Sequence, residues 1–243
     1  MLSREKFIYT GHANARKGDS RLRLAQLVGD RYAVVDAGCA VGYIGEHLRA
    51  IQSSRWLGGI EIDPTAAEQA RPYYDQVIVG SLEDESVWNR LERDVDAMIF
   101  GDVLEHTSDP IRVLRMAGAR MRPDGVVVIS MPNIAHFRIR LNLLAGRFDY
   151  QEWGIMDRTH LRFFTLASAT KMVEASDFEV TMSEAIAAYP PVDEGPVISR
   201  LGRAGKARVR RMLGIIRPTL FANQFILVGR KGGRSSGSVT KRD

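Results

Sequence analysis

The stretch "VVDAGCAVGYIG", residues 34–45, limits the fold more than any other part of the chain. β-favouring residues lead into an acid, then a run of small residues, then a helical pattern. Glycine at Gly38, Gly42 and Gly45 allows a tight turn and close approach of the backbone to a ligand. A buried strand feeding a helix in this way belongs in a parallel sheet covered by helices.

The rest of the chain repeats the alternation. "WLGGIEID", "DQVIVGS", "VDAMIFGD" and "VVVISMPN" read as further strands, and "RPDG" as a turn before the last of them. "SRLRLAQLVGDR" carries Leu22, Ala25 and Val28 at helical spacing, and "YIGEHLRAIQ" and "LASATKMVEASDF" are also helical. Asp63-Pro64 and Asp109-Pro110 are cap signals, the second opening a helix whose face runs Ile111, Leu114, Gly118, Met121. "EVTMSEA" and "QFILVGR" are late strands with no convincing helix between them, which predicts an antiparallel end to the sheet. The expected fold is α/β, a doubly wound, mostly parallel seven-stranded sheet. Residues 132–165 and 189–220 do not fit the alternation and are expected to cap the site. Residues 1–230 then form one domain, and 231–243 a flexible tail poor in apolar residues.

The glycine loop excludes two common ligands. Counting from Gly38, a dinucleotide fingerprint needs glycine where Ala40 and Tyr43 stand. Asp36 at the strand end would repel a pyrophosphate. No Lys-Ser or Lys-Thr follows, so the loop is not a P-loop.

"VVDAGCAVG", "GGIEID", "VGSLED", "IFGDVLEHTSDP" and "MRPDGVVVISMPN", in this order, resemble the five strand-end motifs of class I S-adenosylmethionine-dependent methyltransferases. The resemblance implies that S-adenosylmethionine is the cofactor, held by Asp36, Gly38, Cys39, Ala40 and Gly42, by Glu61 on the ribose hydroxyls with Ile62, by Ser81 and Leu82 beside adenine, and by Gly101, Asp102 and Val103. Ala40 replaces the commonest glycine of the loop, and Ser81 stands where an Asp is common. "DRTHLRFFT" resembles methyltransferases found beside glycosyltransferases in bacterial glycan pathways, and relatives acting on quinones and secondary metabolites.

Methyl transfer to a hydroxyl needs a positioned base, most often histidine. His160 is the first choice, with Asp157 orienting it or a substrate hydroxyl, and His106 the second. Asn133, His136, Arg158 and Arg162 are candidates for acceptor binding, while Phe163 and Phe164 read as core. No metal is required by this reading. A lesser alternative places a divalent cation on Asp102, Glu105 and His106, which share a face if helical. The expected reaction is O-methylation of a sugar or glycan precursor. A quinone or phenolic acceptor and a non-catalytic cofactor-binding protein are the alternatives.

Charge and cysteine content bear on partners. The chain of 243 residues has a net charge of +5, but residues 200–243 carry +11 and the remainder −6. If helical, residues 198–217 form an amphipathic segment whose Arg203, Lys206, Arg210 and Arg211 face away from an apolar stripe. Such a segment serves either as a solvated cover or as a contact for an anionic membrane face or a phosphate-bearing acceptor carrier. The absence of Asn-Pro-Pro-Tyr and of any RNA-binding module argues against nucleic acid. One cysteine precludes an intrachain disulfide and suits a reducing cytosol, with or without attachment to the inner membrane face.

Overall fold

A computed structural model describes residues 20–186 and 218–232. Seven strands are formed: β1 (Ala33–Ala37), β2 (Trp56–Glu61), β3 (Gln76–Val79), β4 (Val95–Gly101), β5 (Met121–Pro132), β6 (Phe178–Ile186) and β7 (Gln224–Lys231). Their order in the sheet is β3-β2-β1-β4-β5-β7-β6. β1 to β5 pair in parallel, and β7 runs antiparallel to both β5 and β6, as the missing helix between the late strands predicted.

The helices are α1 (Ser20–Leu27), α2 (Tyr43–Ile51), α3 (Pro64–Ala70), α4 (Glu85–Asn89), α5 (Pro110–Ala119), α6 (Phe137–Leu144), α7 (Leu166–Glu174) and α8 (Pro218–Phe221). Both aspartate caps form: Asp63 accepts from Thr65 N at 2.8 Å and Asp109 from Arg112 N at 3.0 Å. Alternate residues of each strand enter opposite cores. Met98, Phe100, Val127 and Ile129 pack with Trp88, Leu114 and Val173 on one face. Ala97, Ile99, Val126 and Val128 pack with Leu24, Leu48 and Tyr74 on the other. β1 is buried along its whole length because both faces are covered.

Some local expectations shift. The buried face of α1 is Leu24 and Ala25, continued by Val28, while Leu22 is half-buried. The face of α5 turns to Val113, Leu114, Ala117 and Gly118. "RPDG" is not a separate turn but an irregularity inside β5: Asp124 has φ 60°, and the register with β4 shifts between Val95 and Ala97. β7 runs through Lys231, the first residue expected in the tail, whose ammonium donates to Met121 O at 2.7 Å. Residues 132–165 leave the sheet as α6 and a series of turns before returning at α7. The basic segment 198–217 lies outside the described residues, as does most of the second inserted stretch.

Candidate active site

The loops that leave β1 to β4 lie along one edge of the sheet, at the switch point between β1 and β4 where open α/β sheets bind ligands. In the β1 loop, the Gly38 and Cys39 amides both donate to Ile60 O, at 2.8 and 3.0 Å. Gly38 has φ +81°, and a Cβ there would stand 2.6 Å from Val103 Cγ2. Glycine at this position therefore lets the β1 and β4 loops touch. Gly42, at φ +96°, lies equally close to the Tyr73 ring. Ala40 takes φ 46°, so this departure from glycine leaves backbone strain in the loop.

Glu61 braces that loop. One carboxylate oxygen accepts from Ala40 N and the other from Asp63 N, both at 2.9 Å. A carboxylate offers about four lone-pair positions, so Glu61 keeps acceptor capacity for two hydroxyls at the strand end. Beside it Ile62 is 62% exposed, a bare apolar side chain suited to a flat ring. Ser81 and Leu82 follow β3. The Ser81 hydroxyl accepts from Glu83 N at 3.2 Å, and buried Leu82 offers its carbonyl to the Trp88 indole at 2.8 Å.

Gly101, Asp102 and Val103 close β4. Asp102 takes φ 52°, and its carboxylate accepts from the Gln224 amide at 2.5 and 2.6 Å and from Ser130 Oγ at 3.1 Å. Gln224 was not legible as a site residue, because only the antiparallel placement of β7 brings it here.

Asp36 lies beneath the loop, 1% exposed. One oxygen accepts from the Tyr74 hydroxyl at 2.6 Å, and that hydroxyl accepts from Gly45 N at 3.0 Å. The other oxygen has no partner among the described residues. Burial pushes the Asp36 carboxyl up to about 7, against the lowering effect of Tyr74. Burial likewise pushes the Cys39 thiol up, so it stays a neutral packing group rather than a nucleophile. Tyr74 carries this arrangement and was missed from sequence. The signal was the pairing of Gly45 with a large ring, visible only in three dimensions.

The second half of the site forms where residues 151–164 dock on the loop after β4. Glu105 O accepts from Leu161 N and Arg162 N, at 2.9 and 3.0 Å. Leu104–His106 is a single 3-10 turn, and the left-handed Asp102 before it breaks the helical spacing that would align Asp102 with Glu105 and His106. The group that does converge is Glu105, His106 and His160, whose ligand atoms all lie within 4.8 Å of one another. His160 is buried, and its Nδ1 faces Ile155 O at 3.2 Å. Burial first, and His106 second, hold its pKa below the ordinary histidine value. Glu105 is 1% exposed, and both its carboxylate oxygens lack a partner among the described residues. Burial raises its pKa well above the ordinary carboxylate range.

Other expected acceptor residues are engaged in structure. The Asp157 carboxylate takes the Thr159 amide at 2.8 Å and hydroxyl at 2.6 Å. Asn133 spends its amide on Ala222 O and Thr219 O and its oxygen on Ala135 N, clamping the end of β5 to the approach of β7. His136 caps α6 by accepting from Arg138 N at 3.3 Å. Burial and Arg138 lower its pKa to about 4. Arg158 is paired with Glu152, and Arg162 donates to Ser108 O. Phe164 is core as expected. Phe163 instead stacks with Phe148, Tyr150 and His160.

A family model described as "Methyltransferase domain" matches residues 9–183. A Mycolicibacterium smegmatis protein named "Probable S-adenosylmethionine-dependent methyltransferase" is 28% identical over 149 residues, 60% of this chain and 52% of that one. The ubiquinone biosynthesis O-methyltransferase of Neisseria meningitidis is 28% identical over 116 residues, 45% of this chain and 47% of that protein. The chain thus spans about half the length of these curated relatives. Among solved structures, a SAM-dependent methyltransferase from Archaeoglobus fulgidus superposes with a TM-score of 0.59 at 15% identity, over 87% of this chain and 93% of that one.

Proposed function

The chain belongs to the methyltransferase-domain family, and from that premise we propose that it moves the methyl group of S-adenosylmethionine to a hydroxyl of a sugar or glycan precursor. The edge formed by Gly38, Gly42, Glu61 and Ile62 fits that cofactor: a close-approach loop, a carboxylate with free acceptor positions for a ribose, and a bare apolar side chain for adenine. S-adenosylmethionine supplies a methyl group on a sulfonium whose leaving thioether is neutral.

What this chain adds is orientation and activation of the acceptor. The observation that carries the reading is the convergence of Glu105, His106 and His160 beside the β4 loop. An alkyl hydroxyl is a poor nucleophile at neutral pH and needs its proton withdrawn. His160 directs Nδ1–H to the Ile155 carbonyl, which leaves Nε2 as the basic nitrogen. Burial favours its neutral form, the form that can accept a proton or bind an acid. Phe163, Phe148 and Tyr150 supply an aromatic wall beside the imidazole. The carrier-borne form of such an acceptor, at an anionic membrane face, is consistent with the basic residues after 199. Among the described residues no helix is long and apolar enough to cross a membrane.

A quinone or phenolic acceptor is the second reading, favoured by the likeness to the Neisseria ubiquinone O-methyltransferase. A phenol ionises far more easily than a sugar hydroxyl, so it has less use for a buried activating cluster. Untargeted mass spectrometry of a deletion strain, searching for the loss of a +CH2 product, tests the choice. Loss of a methylated glycan species supports the first reading, and loss of a methylated quinone replaces it with the second.

A further inference from the structure

We propose that Glu83 is a positioning residue for the acceptor half of the site: through Ser108 it ties the turn beside adenine to the segment that carries His160, so that binding of the cofactor seats residues 151–164. The tie rests on the cofactor's adenosine lying over Ser81 and Leu82, and not on the identity of the acceptor.

The turn after β3 is stiffened by its own hydrogen bonds. The Ser81 hydroxyl accepts from Glu83 N at 3.2 Å, Ser81 O accepts from Asp84 N at 3.1 Å, and the Trp88 indole donates to Leu82 O at 2.8 Å. Arg112 donates to Glu83 O at 3.2 Å. A ring pressed on Ser81 or Leu82 therefore acts on Glu83 as well. One Glu83 carboxylate oxygen accepts from Ser108 N at 2.8 Å, from Asp109 N at 3.2 Å and from the Ser108 hydroxyl. These are charge-assisted bonds. Ser108, first among its neighbours, holds the Glu83 carboxyl below the ordinary carboxylate value.

The other side of the same loop belongs to the acceptor segment. Ser108 O accepts from the Arg162 guanidinium. The peptide group between Ser108 and Asp109 is thus bonded at both ends, its N–H to an anion from the β3 loop and its carbonyl to a cation from residues 151–164. Charge at either end polarises the group and strengthens the bond at the other. Glu105 O adds the backbone contacts, accepting from Leu161 N and Arg162 N at 2.9 and 3.0 Å. Gln151 N donates to Met156 O at 2.8 Å, Arg158 N to Gln151 O at 3.0 Å, and Ile155 O meets His160 Nδ1 at 3.2 Å. Arg162 and His160 are therefore seated together.

The element with two states is this segment, seated on the β4 loop or lifted from it. A cofactor that favours the seated state by some factor is itself bound more tightly by that state, by the same factor. Arg162 should accordingly bear on cofactor affinity although it belongs to the acceptor segment.

S-adenosylhomocysteine is the probe, added to the full-length chain and followed by amide hydrogen exchange and calorimetry. In the wild type it should slow exchange in both the glycine loop and residues 151–164. In Glu83→Ala the glycine loop should still gain protection and residues 151–164 should not, with the ligand-free exchange of that segment as in the wild type. Glu83→Gln, which keeps an accepting oxygen, should restore part of the gain. Glu83→Ala and Arg162→Ala should each weaken the probe about fivefold or more, and the double variant no further. Circular dichroism checks folding, and Arg162→Ala carries the exchange test if Glu83→Ala does not fold. Protection of residues 151–164 that persists in the variants, or never appears in the wild type, overturns the tie. Faster exchange there in ligand-free Glu83→Ala overturns it too, since Glu83 would then serve stability alone, as do additive losses of affinity in the double variant. A wild type that does not bind the probe removes the cofactor reading along with the tie, whereas binding without protection removes only the tie.

Discussion

The rings of His106 and His160 meet edge to face with centroids 4.7 Å apart, one on the loop after β4 and the other in the segment that docks on it. Each ring is also held by a carbonyl of that segment, Thr159 O and Ile155 O. The cluster of Glu105, His106 and His160 therefore exists only while residues 151–164 remain seated on the β4 loop.

Removing either ring should separate chemistry from cofactor binding. His160→Ala should lower turnover about 100- to 10,000-fold, the usual contribution of a positioned acid–base or activating group. S-adenosylmethionine affinity should be unchanged, because His160 lies outside the glycine edge. His106→Ala should disturb both, since it sits three residues beyond Val103. Single-turnover kinetics with calorimetry separates the effects, and near-normal turnover in His160→Ala with the true acceptor would remove it from the reaction.

The cofactor assignment depends most on Glu61. Its carboxylate braces Ala40 N and Asp63 N and retains acceptor positions. Glu61→Ala should weaken S-adenosylmethionine by about 2–3 kcal/mol through lost charged hydrogen bonds. Unchanged affinity by calorimetry, or tight binding of NAD to the wild type, would refute the assignment.

Gly38→Ala should cost about 1–3 kcal/mol of stability and impair cofactor binding, because φ is +81° and the added Cβ meets Val103 Cγ2 at 2.6 Å. Adding Val103→Ala relieves the contact but not the dihedral strain. Chemical denaturation should show partial, not full, recovery in the double variant.

Asp36 makes stability depend on pH. Its carboxyl is raised from 3.8 to about 7 in the fold. The folded state therefore holds a proton that the unfolded state has released, and this contribution is full below about pH 4 and lost as pH rises through 7. Asp36→Asn should flatten the loss of melting temperature between about pH 4 and 7. An identical pH profile in the variant would show that the carboxyl is not the cause.

The basic residues after 199, including Arg203, Lys206, Arg210 and Arg211, should bind vesicles containing anionic lipid and release them as salt rises. Sedimentation with neutral and anionic liposomes measures this. Equal binding to both, or none with full activity on a soluble acceptor, would dismiss the membrane contact.

The glycine loop and the strand-end carboxylate were legible before any coordinates. Strand endings and caps depend on neighbours a few residues away, so "VVDAGCAVG" and "GGIEID" announced a glycine loop and a strand-end carboxylate, and Asp63 and Asp109 announced their helices. The acceptor side was legible only as a collection of suitable residues. Asn133, His136 and Asp157 have chemistry that suits a substrate, but their hydrogen bonds go to Ala222, Arg138 and Thr159. Conversely, Glu105 acquires its character from burial and from His160, more than fifty positions away. Helical spacing linked Asp102 to Glu105 and His106, but a left-handed residue at Asp102 separates them and Gln224 takes its carboxylate. Periodicity reports which way a side chain points within its own element. Burial, tautomer and the partner of a buried charge are properties of the packed sheet and of the segment that closes over its edge.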